Sequence, residues 1–363
     1  MRIVLGSAHP YIPQIAGGAQ TSTHELALEL QARGHDVSVL SGLTKSGWTG
    51  LRGRVLLKLT RARTVCDRSL GYSVRRAWDP SASIDELIGG DRPDIVLLQS
   101  GKPVPIAREF LKRNIPVVLY LRNVEFDDLG GDPRTLGQVR TIANSAFTAE
   151  RFKKEFGFRS AVIHPLLRAE RYRVDAQRKN VTFINPHPSK GVDIALGVAE
   201  CCPDIPFVFV EAWTLEESSR QDLKKRLARL PNVTLRPRTR DMREIYRDAR
   251  IILAPSQWEE AFGRVASESH ISGIPVIASD CGGLPESVGP GGMLIDRRAP
   301  LEVWVKAVRL MWDDEAFYAS VSEAAMNYSR RPAMMRESQI DQLIGILESE
   351  IARHARSRTS SGN

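Results

Sequence analysis

The chain has 363 residues, 42% hydrophobic and 26% charged, a length that suits two domains and a composition ordinary for a globular protein. No apolar run approaches the roughly 18 residues that a membrane span needs. The formal net charge is +8, which suits nucleic acid, an anionic membrane surface or an acidic substrate as a partner, and the position of the excess charge decides between them.

In the first half, short β-rich runs alternate with helical periodicity. Strands are predicted at Ile3–Leu5, Val37–Leu40, Ile95–Leu98 and Val117–Leu121. The opening run carries one basic residue and ends at Gly6, which indicates a strand rather than a signal peptide, so we expect a cytoplasmic protein. Leu26 and Leu30 mark one face of a first helix that ends near Gly34. This alternation predicts a parallel sheet with helices on both faces.

The same pattern restarts in the second half, which predicts a second doubly wound domain. Its predicted strands are Val181–Ile184, Phe207–Val210, Val233–Leu235, Ile251–Ala254 and Pro275–Ser279, and its predicted helices are Val192–Ala199, Leu223–Leu230 and Val265–Ile271. We place the two domains at residues 1–165 and 166–334. A C-terminal helix over 335–356 is expected to pack back on the first domain, and 357–363 is expected to be a disordered tail.

The cysteines and histidines do not form a metal-binding pattern. The four cysteines include no Cys-x-x-Cys pair, and the adjacent Cys201 and Cys202 make a poor disulfide framework. The seven histidines have no ligand spacing such as His-Glu-x-x-His. We therefore expect reduced structural thiols and no bound metal.

The most informative segment is a strand, loop and helix around two glutamates. Glu260 lies in the loop after the strand Ile251–Ala254, and Glu268 lies eight residues later in the helix. At about 100° per residue, the two positions lie roughly two turns apart along the helix and within about 80° around its axis, so both carboxylates can contact one extended ligand. The helix opens at Ala261–Arg264, where free backbone amides and the helix dipole favour a phosphate and Gly263 allows a close approach. The segment therefore predicts a site for a phosphorylated ligand.

At these residues the chain resembles glycosyltransferase family 4, a retaining group with the GT-B fold of two Rossmann-like doubly wound domains that face a cleft. The matching residues are Pro255, Ser256, Glu260, Phe262, Gly263 and Glu268, followed by Gly273–Ser279 and Gly282–Glu286. The resemblance spans nearly the full chain. It implies that residues 1–165 form the acceptor-side domain and residues 166–334 the donor-binding domain.

The resemblance also implies roles for individual residues. Glu260 is similar to the glutamate that contacts the donor sugar, and Glu268 to the one that binds ribose hydroxyls, with Phe262, Gly263 and Arg264 in the same donor-binding loop. Lys190, between a strand and a helix, resembles the family's lysine that neutralises the donor diphosphate. Gly17 and Gly18 look like the family's glycine loop beside the diphosphate and the acceptor.

Two positions depart from the family's pattern. Pro186 stands where the family often has an arginine, and Arg264, His187 or a basic residue of 236–240 is a candidate replacement. Arg122 stands where the first domain commonly offers a histidine. Arg122 either positions an acidic group of the acceptor, supports the leaving phosphate or is structural.

The implied reaction is retaining transfer of a hexose from a nucleotide-sugar, UDP- or GDP-sugar above all, to a saccharide or lipid-linked acceptor in polysaccharide or glycolipid synthesis. The implied catalytic residues are Lys190, Glu260 and Arg122. The implied catalytic mechanism is electrostatic stabilisation of the departing diphosphate. The chain has no Asp-x-Asp, so we expect activity without metal or other cofactor. A sugar-nucleotide epimerase of the same fold and a non-catalytic nucleotide-sugar-binding protein stay open as alternatives.

The excess positive charge is concentrated in residues 48–76. This segment contains Arg52, Arg54, Lys58, Arg61, Arg63, Arg68, Arg75 and Arg76 against Asp67 alone. The cluster lacks a nucleic-acid-reading module, so nucleic acid is not expected as a partner. Trp48, Leu51, Val55 and Leu59 recur there at helical spacing. Either this helix lies on an anionic membrane, which would bring the protein to the membrane's inner face, or its apolar side packs on its own domain.

Overall fold

A computed structural model describes residues 1–15, 17–90, 92–213 and 215–360. The chain divides into two compact units, which we call the first unit (residues 1–166 and the C-terminal segment from Arg336) and the second unit (residues 167–335). The predicted boundaries after residues 165 and 334 each lie one residue from these divisions.

The first unit is a doubly wound sheet. Its strands are β1 (Arg2–Pro10), β2 (Asp36–Gly42), β3 (Thr64–Asp67), β4 (Ser73–Ala77), β5 (Ile95–Leu98), β6 (Val117–Leu121), β7 (Arg140–Ala143) and β8 (Ala161–Val162). Within the described residues the strand order is β3-β4-β2-β1-β5-β6-β7-β8, and each pair is parallel except β3 with β4. Its helices before the C-terminal one are α1 (Gly18–Ala32), α2 (Gly47–Thr60), α3 (Ile84–Gly90), α4 (Pro103–Lys112) and α5 (Ala146–Phe156).

The second unit repeats this architecture. Its strands are β9 (Asn180–Ile184), β10 (Phe207–Val210), β11 (Val233–Arg236), β12 (Ala249–Ala254), β13 (Val276–Ser279) and β14 (Gly292–Ile295). Among the described residues they form one parallel sheet in the order β11-β10-β9-β12-β13-β14. Its helices are α6 (Val192–Cys201), α7 (Glu217–Leu227), α8 (Arg243–Tyr246), α9 (Arg264–His270), α10 (Leu284–Val288), α11 (Leu301–Asp313) and α12 (Glu315–Ser329).

The central strands of both sheets are apolar and are buried on both faces. All four residues of β5, Ile-Val-Leu-Leu, are buried, as are all four of β10, Phe-Val-Phe-Val. Helices on both faces exclude water from such strands, which is why they carry continuous rather than alternating apolar residues. The predicted doubly wound fold class is confirmed in both units.

The C-terminal helix α13 (Arg336–Ser360) packs in the first unit. Ile340, Leu343 and Leu347 are buried in the core that also contains Leu26 and Leu30 of α1. The helix continues past the predicted end at residue 356, to Ser360, and the disordered tail stays a prediction. No glycine or proline interrupts that stretch. Residues 361–363 of the predicted tail lie outside the described residues.

The basic segment 48–76 is not one helix. It begins as α2 and continues into the antiparallel pair β3–β4, which sequence periodicity did not predict. Arg76 is buried, and its guanidinium binds the Asp67 carboxylate at 2.9 Å and the Ile12 carbonyl at 2.6 Å. This arginine therefore anchors the loop after β1 instead of contributing surface charge.

All four cysteines are free thiols. In the part of the chain that the structure describes, no helix is both long enough and apolar enough to cross a membrane.

Candidate functional site

The candidate site of the second unit lies where the strand order reverses. The chain moves from β9 outward to β10 and β11, then returns to the other side of β9 with β12. The carboxyl ends of β9 and β12 therefore border the crevice at which open doubly wound sheets bind ligands. The loop after β9 carries Lys190, and the loop after β12 carries Glu260.

Lys190 and Glu260 meet in this crevice. The Lys190 Nζ donates to Glu260 Oε1 at 2.7 Å, and the Ser256 hydroxyl donates to the same oxygen at 3.1 Å. The ammonium also lies 5.0 Å from the centre of the Trp213 ring, and His187 stacks edge-on against that ring at 5.4 Å. An ammonium has three donors, so Lys190 keeps donors for an anionic ligand while it holds Glu260.

Close backbone contacts hold the two loops in register. Gly191 has φ +79°, and a Cβ there would lie 1.9 Å from the Pro255 carbonyl oxygen. Gln257 donates its backbone N–H to the Ser189 carbonyl at 2.9 Å. Gly282 after β13 has φ +61° and packs against the Glu260 backbone, where a Cβ would lie 2.5 Å from the carbonyl oxygen. These glycines are needed because no side chain fits at those positions.

Glu268 belongs to a second, buried cluster. One carboxylate oxygen accepts from Arg264 Nε at 2.9 Å and the other accepts from the Tyr246 hydroxyl at 2.8 Å. Arg264 also donates to the Tyr172 hydroxyl at 2.7 Å. The side chains of Arg264 and Glu268 are only 11% and 9% exposed. Burial and the neighbouring carboxylate raise the pKa of Tyr246 well above its usual range, so this phenol stays a donor.

The loop that opens α9 is shaped by Gly263 and Phe262. Gly263 has φ +94°, and a Cβ there would lie 2.7 Å from Leu284 and 2.8 Å from the Ser287 hydroxyl. Phe262 is 3% exposed and packs in the core with Leu284. A ligand can therefore meet Phe262 only through its backbone. The phosphate contact expected at the amides of this short helix stays a prediction.

The predicted residues of the first unit lie together near the start of α1. Gly17 is the N-cap residue and Gly18 the first residue of the helix. The Arg122 guanidinium donates to the Ala19 carbonyl at 3.3 Å and to the Thr23 hydroxyl at 3.0 Å. Arg122 is 9% exposed, so these contacts support its structural interpretation, in which it holds the first turn of α1.

A histidine–aspartate pair lies at the corresponding strand ends of the first unit. The sheet order reverses between β1 and β5, and His9 Nε2 lies 2.9 Å from Asp128 Oδ1 in the loop after β6. The second Asp128 oxygen accepts from the Gly101 backbone and the Asn123 amide, each at 2.8 Å. Burial acts to raise the pKa of Asp128, but the hydrogen bonds from His9, Gly101 and Asn123 outweigh it and lower that pKa. Next to this pair is a pocket with both polar and apolar lining residues, which include Ser7, His9, Gln20, Thr23, Gln99 and Ser100.

The structure thus pairs Lys190 with Glu260, and Arg264 with Glu268. Sequence reasoning missed Trp213, Tyr246 and Asp128 as members of these clusters. No local pattern marks these three residues, although Trp213 follows a predicted strand as ligand-facing residues do.

Comparisons with known proteins agree with this geometry. The model described as "Glycosyltransferase Family 4" matches residues 16–171, and the model described as "Glycosyl transferases group 1" matches residues 187–314. A D-inositol 3-phosphate glycosyltransferase of Corynebacterium glutamicum is 40% identical over 88 residues, which cover 24% of this chain and 21% of that relative. The chain therefore matches only about a fifth of that relative's length.

Solved structures share the fold over nearly the whole chain. The Anabaena protein Alr3699/HepE, solved in complex with UDP-glucose, has a TM-score of 0.77 at 19% identity and covers 96% of this chain and 100% of its own. A Rickettsia africae glycosyltransferase has a TM-score of 0.75 at 15% identity and covers 96% and 98%.

The protein has GT-B architecture. Each of its two units is a doubly wound sheet with polar side chains at the point where the strand order reverses. The family models add a sequence likeness to this architecture: residues 16–171 resemble glycosyltransferase family 4, and residues 187–314 resemble the group 1 glycosyl transferases.

Proposed function

We propose that this protein is a retaining glycosyltransferase that moves a hexose from a nucleotide-sugar to a saccharide or lipid-linked acceptor in polysaccharide or glycolipid synthesis. The observation that carries the proposal is the Lys190–Glu260 pair, 2.7 Å apart at the reversal point of the second sheet. A cation and a carboxylate at one strand-end crevice suit the two parts of such a donor, its diphosphate and its sugar.

The proposed chemistry is electrostatic. As the bond between the sugar and the diphosphate breaks, negative charge grows on the departing oxygen, and the Lys190 ammonium stabilises it. Glu260 accepts hydrogen bonds from sugar hydroxyls and, with Ser256, holds the ammonium in place. The Trp213 ring beside Lys190 adds a cation–π contact to the ammonium. No metal or other cofactor takes part in this scheme.

The Glu268 cluster supports the proposal for the nucleoside end of the donor. Its carboxylate accepts two hydrogen bonds within the protein, and a carboxylate has about four acceptor sites, which leaves capacity for ribose hydroxyls. The likeness to a protein solved with UDP-glucose favours UDP-sugars among the candidate donors, and GDP-sugars are the second choice.

The pocket beside His9 supports an acceptor in the first unit. In the neutral tautomer of His9 that donates its Nε2–H to Asp128 Oδ1, the other ring nitrogen has a lone pair that accepts from a hydroxyl. A saccharide hydroxyl suits this group. We propose that the protein works in the cytoplasm and, where the acceptor is lipid-linked, at the inner face of the membrane.

The test is donor turnover by Lys190→Ala beside a matched control. We expect the variant to lose about 10²–10³-fold in kcat for hydrolysis or transfer of UDP- and GDP-sugars, the loss typical of one preorganised donor. Lys179→Ala is the control, since Lys179 precedes the amino end of β9, is 61% exposed and pairs with Asp248.

Equal activity in the two variants would contradict the proposal. Epimerisation of the nucleotide-sugar without acceptor would favour an epimerase. Donor binding, seen as a rise in thermal stability, without turnover under any condition would favour a non-catalytic binding protein.

A further inference from the structure

Helix α2 contacts its unit through glycines. Gly50 and Gly53 are the buried residues of this helix. A Cβ on Gly50 would lie 2.5 Å from the Thr44 carbonyl oxygen, and a Cβ on Gly53 would lie 3.1 Å from the Leu43 side chain. The glycine face therefore brings the helix backbone close to the unit, and Leu57 on the same side of the helix is half-buried.

Four of the six large apolar side chains of α2 are exposed. Trp48 and Leu59 are each 75% exposed, Val55 is 50% exposed and Leu51 is 45% exposed. At about 100° per residue, positions 48, 51, 55 and 59 fall within a stripe about 80° wide. This result contradicts the interpretation in which the apolar side of the helix packs on its own domain. An exposed apolar stripe of this kind marks an interaction surface.

The same helix is cationic. Arg52, Arg54 and Lys58 are exposed, and residues 47–60 contain no acidic residue. The carboxylate nearest in sequence, Asp67, binds buried Arg76. Glu86 accepts from the Thr64 hydroxyl and the Arg63 backbone. The surface therefore combines apolar side chains with uncompensated positive charge.

We propose that α2 docks on the surface of an anionic lipid bilayer, with the stripe at headgroup depth and the basic side chains against lipid phosphates. Charge decides between this occupant and a second copy of the chain. A two-fold contact between copies would bring the two cationic helices together, whereas an anionic bilayer suits both the apolar and the cationic residues. The proposal names a partner for the proposed transferase, but it stands on the surface of α2 and does not depend on turnover.

The test is flotation of the full-length protein with two kinds of vesicle. One contains phosphatidylcholine alone, and the other contains about 30 mol% phosphatidylglycerol, which makes its surface anionic. We expect binding to the mixed vesicles only. Arg52→Gln/Lys58→Gln is expected to bind about 30-fold more weakly, since each basic residue near such a surface contributes about a factor of five. Trp48→Ser/Leu59→Ser is expected to lose binding.

The matched control is Trp78→Ser/Leu310→Ser, which removes an exposed tryptophan and an exposed leucine outside α2. Unchanged vesicle binding in both α2 variants, or equal binding to uncharged vesicles, would overturn the proposal. So would a dimer in analytical ultracentrifugation that Trp48→Ser/Leu59→Ser dissociates while no vesicle binds. The charge variant leaves the apolar stripe intact, so it tests the proposal even if the apolar variant folds poorly.

Discussion

Replacing Glu268 by alanine should destabilise the second unit as well as weaken donor binding. The substitution leaves the Arg264 guanidinium, 11% exposed, without its carboxylate and leaves the buried Tyr246 hydroxyl without its acceptor. Removing one partner of a buried ion pair costs about 3–5 kcal/mol. We expect the cost to appear as local opening near α9 and the strands beside it.

Amide hydrogen exchange measures this opening strand by strand, which suits a protein of two units better than a single unfolding midpoint. A cost of about 3–5 kcal/mol corresponds to exchange about 140-fold to about 3,700-fold faster at the amides of β12 and β13. The amides of β5 in the first unit are the internal control. Binding of UDP- and GDP-sugars, followed by thermal shift, is expected to disappear in the same variant.

A compensated variant separates stability from binding. Arg264→Met/Glu268→Met/Tyr246→Phe replaces the whole polar cluster, and buried ion pairs replaced by apolar residues are often neutral or stabilising by about 1–4 kcal/mol. We expect slow exchange to return in β12 and β13 without donor binding. Donor binding by this variant would refute the role of Glu268 at the ribose. Unchanged exchange in Glu268→Ala would refute the buried-pair reasoning.

Three other predictions concern the second unit. Gly191→Ala should abolish donor turnover, because its Cβ would lie 1.9 Å from a backbone oxygen, whereas Gly157→Ala, at similar φ with nothing within 4 Å, should cost only about 1–2 kcal/mol in unfolding measurements. Burial lowers the pKa of His270 to about 3 from 6.5, partly opposed by a hydrogen bond to a backbone carbonyl. Below pH 6.5 the unfolded chain therefore binds a proton at His270 that the folded unit does not bind. The free energy of unfolding should fall as the pH is lowered from about 6.5 to about 3. His270→Gln should show a smaller fall in this free energy, measured by amide exchange at each pH. Trp213→Leu should raise the KM for donor several-fold, because Lys190 loses a cation–π contact worth about 0.5–2 kcal/mol; an unchanged KM would exclude that contact.

Much of the fold follows from local sequence patterns. The central strands of both sheets are continuous apolar runs, so their positions and the doubly wound class are predictable without any tertiary information. Short strands at the margins, such as β3, β8 and β14, were missed because their residues are only partly buried and carry no such run. The extent of α13 was underestimated because polar composition alone does not end a helix.

The sequence by itself determined the two-unit class, the site loops at Lys190 and Glu260, and the cationic amphipathic pattern of residues 48–59, because each depends on residues close together in the chain. The tertiary structure alone decided which partners those residues have. It brings Lys190 against Glu260, 70 residues away, closes Glu268 between Arg264 and Tyr246, and ties Arg122 to α1. It also turns the glycine side of α2 inward and leaves the apolar side exposed. Periodicity identifies the two sides of a helix, but only the shape of the surface beneath it determines which side is buried.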